Sequence, residues 1–478
     1  MMKKMKQYIC KSLLLLAMTA SMASCDHFLD EKAQDLYIPK SVQDYSEFLL
    51  GEGLNHGTNN QISISEYLDL LTDDVNEYVN VRRKDARDSR ETMWGYYTWQ
   101  NDPEVDYNNT VVADRSWEVY YHRVLISNII LDQLGSAKGS EAEKKELEGE
   151  ARFLRAWSYF MLVNTYAVPF ESDEQADRTS AVPINSASSV ENRKLTKSTL
   201  GDVYRLIESD LDASIAAFEG SVGERTIYRP NVGAAYLLRS RVALYKKQYQ
   251  AAADYATKAI EKSGKKLYDL TNGVAQANDR FLNSANTEVL FTYGSDTQFK
   301  LQTFITASNS EKGCYLVDPG LISMYTSGDV RLKAFFYAYM RRYKPYKFYA
   351  ARSHGMYPYA FHLSEAYLNR AEAYAELGQD DAALQDINAI RNCRIAGNKP
   401  LTAASQDETL QLVKDERRME LCFEGTRWFD LRRWGCPEIS HTYSSSDAGG
   451  EKVQYTLQKG DSRYTLPIPR AERLINNN

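Results

Sequence analysis

The chain has 478 residues, 43% of them hydrophobic and 12% aromatic, with 58 Lys+Arg against 64 Asp+Glu and a net charge of −6. An acidic balance repels phosphate backbones, which argues against nucleic-acid binding, and six cysteines in a chain this long exclude a small disulfide-stapled domain. Tyrosine is the unusual component, 34 residues against 16 Phe and 6 Trp; its flat face and polar tip suit both half-buried packing and polar binding sites.

The first residues point to export. Lys3, Lys4, Lys6 and Lys11 form a positive start, and Ser12 to Ala20 supply an apolar run. That run is shorter than the about 20 residues a spanning helix needs, so it reads as a secretory signal. It ends Met22-Ala23-Ser24-Cys25. Small residues directly before a cysteine resemble a bacterial lipobox, which implies that residues 1–24 are removed and that Cys25 carries a diacylglycerol. The leader holds four lysines and no acid, so the remaining chain changes from −6 to −10. No later stretch reaches about 18 apolar residues, so the acyl group is the expected membrane attachment. Cys314, Cys393, Cys422 and Cys436 read as core cysteines with one bridge possible, and no C-x-x-C spacing points to zinc or redox work.

Met93 to Pro103 (MWGYYTWQNDP), followed by Tyr107-Asn108-Asn109, crowds rings among amides and lacks helical period. Sugar rings present CH-rich faces for stacking and hydroxyls for amides and carboxylates. Trp94, Tyr96, Tyr97 and Trp99 are therefore predicted to stack on a ligand, with Asn101, Asp102 and Asn108 as polar support. The competing reading is a loop whose rings pack back onto the body.

Helical periodicity governs the chain from about residue 114 onward. Trp117, Tyr120, Tyr121, Val124, Ile126, Ile129 and Ile130 predict a helix over about 114–134. A second, from Gly149 to Val168, is apolar over much of its circumference and reads as buried between other helices, with Pro169 ending it. Ala243–Ile260 aligns with Ala373–Ile390, with coincident alanines at 243/373, 252/382, 253/383 and 259/389. This resembles the tetratricopeptide helix–turn–helix, with Gly378 at a turn. The copies are not in tandem, so helical pairs within a larger body are expected rather than a continuous solenoid. Asn286 to Gly294 predicts a short strand, and Tyr337 to Tyr349 a hairpin around Lys344-Pro345. Ser444 to Gly450 reads as a loop, and Pro467 and Pro469 bracket an extended segment before a helical turn.

Catalytic and cofactor motifs are missing. The six histidines form no H-x-x-x-H pair, and G-x-x-x-x-G-K-[ST], G-x-G-x-x-G and G-x-S-x-G are absent. Glycosidase chemistry needs only two carboxylates across a cleft; Asp73-Asp74 is the candidate pair, although adjacent residues rarely face one way. Lys414 to Trp434 interleaves Arg417, Arg418, Glu416, Glu420 and Glu424 with Phe423, Trp428, Phe429 and Trp434. That pattern is read as buried arginine–carboxylate glue in preference to an anion site.

Several motifs, spread in order over nearly the whole chain, resemble the SusD/RagB family of lipid-anchored outer-membrane nutrient-binding proteins of Bacteroidetes-type bacteria. They are Cys25-Asp26-His27-Phe28-Leu29-Asp30, Glu150 to Ala156, Ser364 to Leu368 with Ala371-Glu372-Ala373, Arg417 to Gly435, and Leu466 to Pro469. His362 departs by standing where an arginine is common, and 313–359 is compact for the family. The resemblance implies a mainly α fold, tetratricopeptide-like helical pairs in an αα superhelix carrying a loop-rich binding face and a few short strands. A part from 25 to 290 would be followed by a C-terminal part from 291 to 478. It implies a glycan ligand, or in some members a peptide, and a SusC-like TonB-dependent barrel as partner. Ligand rings would lie near Tyr293, Tyr315 and Tyr325. No catalysis, cofactor or metal is expected; a glycoside hydrolase and a purely structural scaffold are the rival readings.

Overall fold

The computed structural model describes residues 39–54, 66–79, 90–190, 194–221, 226–273, 281–282, 286–293, 305, 314–347, 359–444 and 451–476, without the side chains of Glu66, Tyr293, Tyr359 and Asn476. The chain divides into two units, Met1–Ser41 and Val42–Asn478. Only residues 39–41 of the first are described, so the leader and Cys25 lie outside the described residues. All the elements named here belong to the second unit.

Helix α1 (Ser116–Gln133) starts where the Asp114 carboxylate accepts the Ser116 N–H at 2.8 Å and the Tyr166 hydroxyl at 2.8 Å. Helix α2 (Glu141–Tyr166) opens on a capping box, Ser140 with Glu143. Phe153, Leu154, Trp157, Phe160, Leu162 and Val163 are all buried along α2, as its all-round apolar pattern predicts. Then come α3 (Leu200–Glu219), α4 (Val232–Tyr245), α5 (Tyr249–Ser263), α6 (Leu363–Glu376), α7 (Asp380–Asn392), α8 (Gln406–Glu420) and α9 (Arg427–Arg433). Thr199, Asn231 and Ser405 cap α3, α4 and α8 with side-chain oxygens. From α1 to α7 each helix packs on its successor, and α8 packs on α6. The fold is the mainly helical, paired architecture expected from the sequence.

The repeat corresponds to the pairs α4/α5 and α6/α7. Ala243, Ala252, Ala253, Ala259, Ala373 and Ala383 are buried where the helices approach closely. Gly378 turns the second pair at φ 71°, whereas Lys247 holds the left-handed position of the first at φ 59°. A side chain costs about 1–2 kcal/mol there.

The strands form two-stranded antiparallel sheets: β1 (Val75–Glu77) with β3 (Tyr315–Val317), β2 (Val289–Tyr293) with β6 (Tyr359–His362), β4 (Phe336–Tyr339) with β5 (Arg342–Pro345), and β7 (Ile439–Ser444) with β8 (Lys452–Leu457). The expected strand is β2. The expected hairpin exists, but its turn is Met340-Arg341, at φ 49° and 62°, and Pro345 sits at the end of β5 opposite Phe336. A two-residue turn with both residues left-handed matches strand twist, and that geometry overrides the proline signal. Residues 445–450, between β7 and β8, lie outside the described residues.

The arginine-rich block is internal glue. Buried Arg331 contacts Asp329, Glu416 and Glu420; Arg394 contacts Glu288 and Glu420; Arg417 contacts Asp430; Arg433 contacts Glu372 and Asp430. Burial alone would raise the Glu420 carboxyl, but Arg394 and Arg331 outweigh it and hold it far below the carboxylate range. Asp73 is gripped by Arg427 at 2.8 Å and Asp74 by Arg418 at 2.7 Å, so this pair is an ion-pair anchor. His362 is paired locally, with Nε2 2.7 Å from Glu424 Oε2 and Nδ1 2.7 Å from Ser364 Oγ. All four cysteines of the described region are free. Among the described residues no helix is long and apolar enough to cross a membrane, and no cluster of three or more His, Cys, Asp or Glu could hold a metal.

Candidate functional site

The aromatic segment is not the irregular loop its sequence suggests. Trp94–Tyr97 forms a helical turn, with the Tyr97 N–H on Met93 O and the Thr98 N–H on Trp94 O, both at 2.9 Å. Gly95 permits it, because a Cβ there would collide with the carbonyl oxygens of Pro103 and Val105. A turn sends successive rings to different sides, and the segment divides into an inner and an outer layer.

The inner layer is core. His441, from β7, lies between Tyr97 (centroids 4.2 Å, planes 9° apart) and Trp99 (4.2 Å, 20°). Its ring nitrogens face the carbonyl oxygens of Tyr97 at 2.7 Å and Thr72 at 2.9 Å. Burial pulls the His441 pKa down, and those two hydrogen bonds act against it. Trp99 donates its indole N–H to Leu71 O at 3.0 Å. Tyr96 stacks on Tyr67 at 4.3 Å, and the Tyr97 hydroxyl accepts the Glu77 N–H at 2.8 Å. Tyr315 packs 4.7 Å from Tyr97 and donates to Arg90 O, while Tyr325 donates to Met419 O at 2.8 Å. Tyr97 and Tyr315 are 0% exposed, Trp99 2%, Tyr96 3% and Tyr325 7%. These five corrections to the expected ligand set share one cause: their rings are packed inside the molecule.

The outer layer is built on Trp94, which is half-buried. Tyr107, 36% exposed, meets it edge-on at 5.7 Å, and Tyr455 of β8 does so at 6.4 Å. Tyr107 packs at 5.4 Å on Tyr443 of β7, which the Arg90 guanidinium overlies at 5.2 Å. The Trp94 indole N–H is buried with no acceptor. Asn108 is exposed beside this group, its amide nitrogen 3.3 Å from Glu91 Oε2 and its backbone N–H on Asp106 Oδ1 at 2.8 Å. Of the expected ligand residues, Trp94 and Asn108 come together here. Tyr107 and Tyr455 complete the group and were missing from the expected set, while Tyr443, 1% exposed, is core that supports Tyr107 from beneath. Tyr443 was visible only as the residue before a Ser/Gly loop, and Tyr455 carried no signal. Tyr293 ends β2 and its side chain lies outside the described residues.

Asn101 and Asp102 go elsewhere. Asp102 pairs with Arg473 at 3.2 Å, and exposed Asn101 borders a separate hollow of ≈ 420 Å³ with Gln100, Lys197 and Arg463.

A scaffold of helical pairs thus carries this aromatic patch, and comparison with known proteins gives the family. A family model described as "SusD family" matches residues 333–478, and one described as "Starch-binding associating with outer membrane" matches residues 27–244. SusD-like protein P25 of Formosa agariphila is 22% identical to the chain, over 86% of it and 87% of that protein. SusD-like protein P38 of the same organism is 36% identical over 15% of the chain and 16% of its own length. Among solved structures, a putative sugar binding protein from Bacteroides vulgatus superposes with a TM-score of 0.72 at 24% identity, covering 92% of this chain and 98% of that one. A SusD-like carbohydrate binding protein from the same species gives 0.67 at 18% identity, covering 92% and 97%. The chain belongs to the SusD/RagB family.

Proposed function

We propose that this protein is a surface lipoprotein that binds a glycan by contact alone and delivers it to a TonB-dependent outer-membrane barrel. The observation that carries the binding role is the outer aromatic layer, with Trp94 held edge-on by Tyr107 and Tyr455. Edge-to-face packing fixes a ring without covering its whole face. Such a ring can take a sugar face at little ordering cost, with Asn108 and Glu91 beside it for hydroxyls. The relatives named for carbohydrate binding and the outer-membrane description of one family model support this reading. The pairing of Asp73 and Asp74 with arginines removes the one carboxylate couple singled out for glycosidase chemistry.

Calorimetry of the purified protein against an oligosaccharide panel, a peptide library and a Trp94→Ala variant tests the proposal. Binding of an oligosaccharide that the variant loses is the expected result. Binding of peptides alone, or reducing sugar released from a polysaccharide by the wild-type protein, would overturn it. Co-purification of a barrel transporter with the membrane-anchored protein tests the partner, and acyl labelling lost in Cys25→Ala tests the anchor.

A further inference from the structure

The hollow beside Asn101 adjoins a second one. The two, of ≈ 420 and ≈ 450 Å³, share Val168, Ser462 and Thr465 and together run along the segment Gly460–Ile468. Neither is lined by Trp94, Tyr107, Tyr443 or Tyr455. Each falls in the size range of small-molecule sites, about 300–1,000 Å³.

Arg432, in α9, lines the second hollow and is 3% exposed. Its Nη2 donates to Ala167 O, the carbonyl at the C-terminal end of α2, and reaches Thr465 Oγ1 at 3.5 Å. Its Nε has no acceptor, and no carboxylate pairs with it among the described residues. The contrast with other buried arginines is sharp: Arg331, Arg394 and Arg417 are at least as buried, and each has a carboxylate partner. Burial pulls the Arg432 pKa down to about 10, and the groups that oppose this are Cys436, Tyr204 and Tyr245. The end of a helix dipole offers only about half an elementary charge, so α2 leaves much of the cation uncompensated. A buried unpaired charge is destabilising, and an incoming anion would offset that penalty.

The rest of the lining fits an anion with hydroxyls. Lys247, on its left-handed turn, and Lys197 are exposed and make no ion pair among the described residues. Of the acids, Asp461 is tied to Arg463 at 2.7 Å, leaving Glu171. Ser462, Thr465, Gln100 and Asn101 supply neutral polar groups along the floor and rim.

We propose that this cleft is a second ligand site, which takes the carboxylate of an acidic sugar unit on Arg432 and Lys247 and its hydroxyls on Ser462, Thr465 and Asn101. The carboxylate part stands on Arg432 and Lys247; the sugar part rests on the reading of the protein as a glycan binder.

The test is calorimetry of the mature chain with D-glucuronate, D-glucose and tetraglutamate at one ionic strength. Glucuronate should bind at least tenfold more tightly than glucose, and more tightly than tetraglutamate. Arg432→Gln should weaken it about tenfold and Lys247→Ala severalfold, and Trp94→Ala should leave it unchanged. Lys247 is exposed, so its variant decides the matter even if Arg432→Gln does not fold. Equal binding of glucose, or glucuronate affinity unchanged in Lys247→Ala, would overturn the proposal, and tighter binding of tetraglutamate would overturn the sugar assignment. Loss of neutral-glycan binding at Trp94 would leave the glucuronate titration untouched, so the two sites fail separately.

Discussion

Trp94 and Trp99 sit on one turn of chain and end in opposite situations. Trp99 lies flat on His441 with its indole N–H on Leu71 O and 2% of its surface exposed. Trp94 is half-buried and meets Tyr107 and Tyr455 edge to face, and its buried N–H meets no acceptor. One ring is finished by the fold and the other is left open. A ring stacked on a buried neighbour with its donor engaged stabilises the body that presents the site. A ring that keeps part of its surface exposed is where ligand contact can add something.

The largest consequence of this division concerns stability. Trp99→Ala should cost about 3–5 kcal/mol, the range for emptying an aromatic core position, read as a lowered denaturation midpoint in urea. A loss under about 1 kcal/mol would break the inner/outer distinction at once. Glu420→Gln should cost a similar amount, about 3–5 kcal/mol, because it leaves Arg331 and Arg394 short of a buried partner. Thermal melting of that variant checks whether the ionic interior supports the scaffold as the stacked rings do.

Trp94→Ala should do the reverse, lowering glycan affinity about tenfold, or ~1.4 kcal/mol, while shifting stability far less than Trp99→Ala. The smallest expected effect is one of pH. Burial lowers the His362 pKa, but the charge and hydrogen bond of Glu424 outweigh it, so the net shift is upward from 6.5. A raised folded-state pKa gives stability that is fully present below the unfolded value and lost as pH rises through the folded one. Melting curves from pH 6 upward should therefore fall more steeply for the wild type than for His362→Gln. Parallel curves would show that the histidine pairs with Glu424 without its proton.

The helices were legible in the sequence because each carries its own apolar period. Ser140 with Glu143, Asn231 and Ser405 cap starts in the structure that the sequence reading did not single out. The alanine matches likewise report a local requirement, close approach of neighbouring helices. Lys344-Pro345 misled because proline punctuates strongly, whereas Met340-Arg341 turns without any residue that advertises it. The site was half legible for a different reason. Which ring of 94–99 is covered depends on Leu71, Thr72 and above all His441, more than three hundred residues away. Tyr443 and Tyr455 come from the same distant hairpin. No local pattern states which distant side chain will occupy a ring face.

The most direct test is a paired measurement on Trp94→Phe and Trp99→Phe, each titrated with the tightest oligosaccharide of the panel and melted in the same buffer. Affinity should fall with the first and hold with the second, while the melting temperature should drop with the second and hold with the first. A substitution at position 99 that weakens binding without lowering the melting temperature would show the ligand resting on the sealed stack, and would contradict the account.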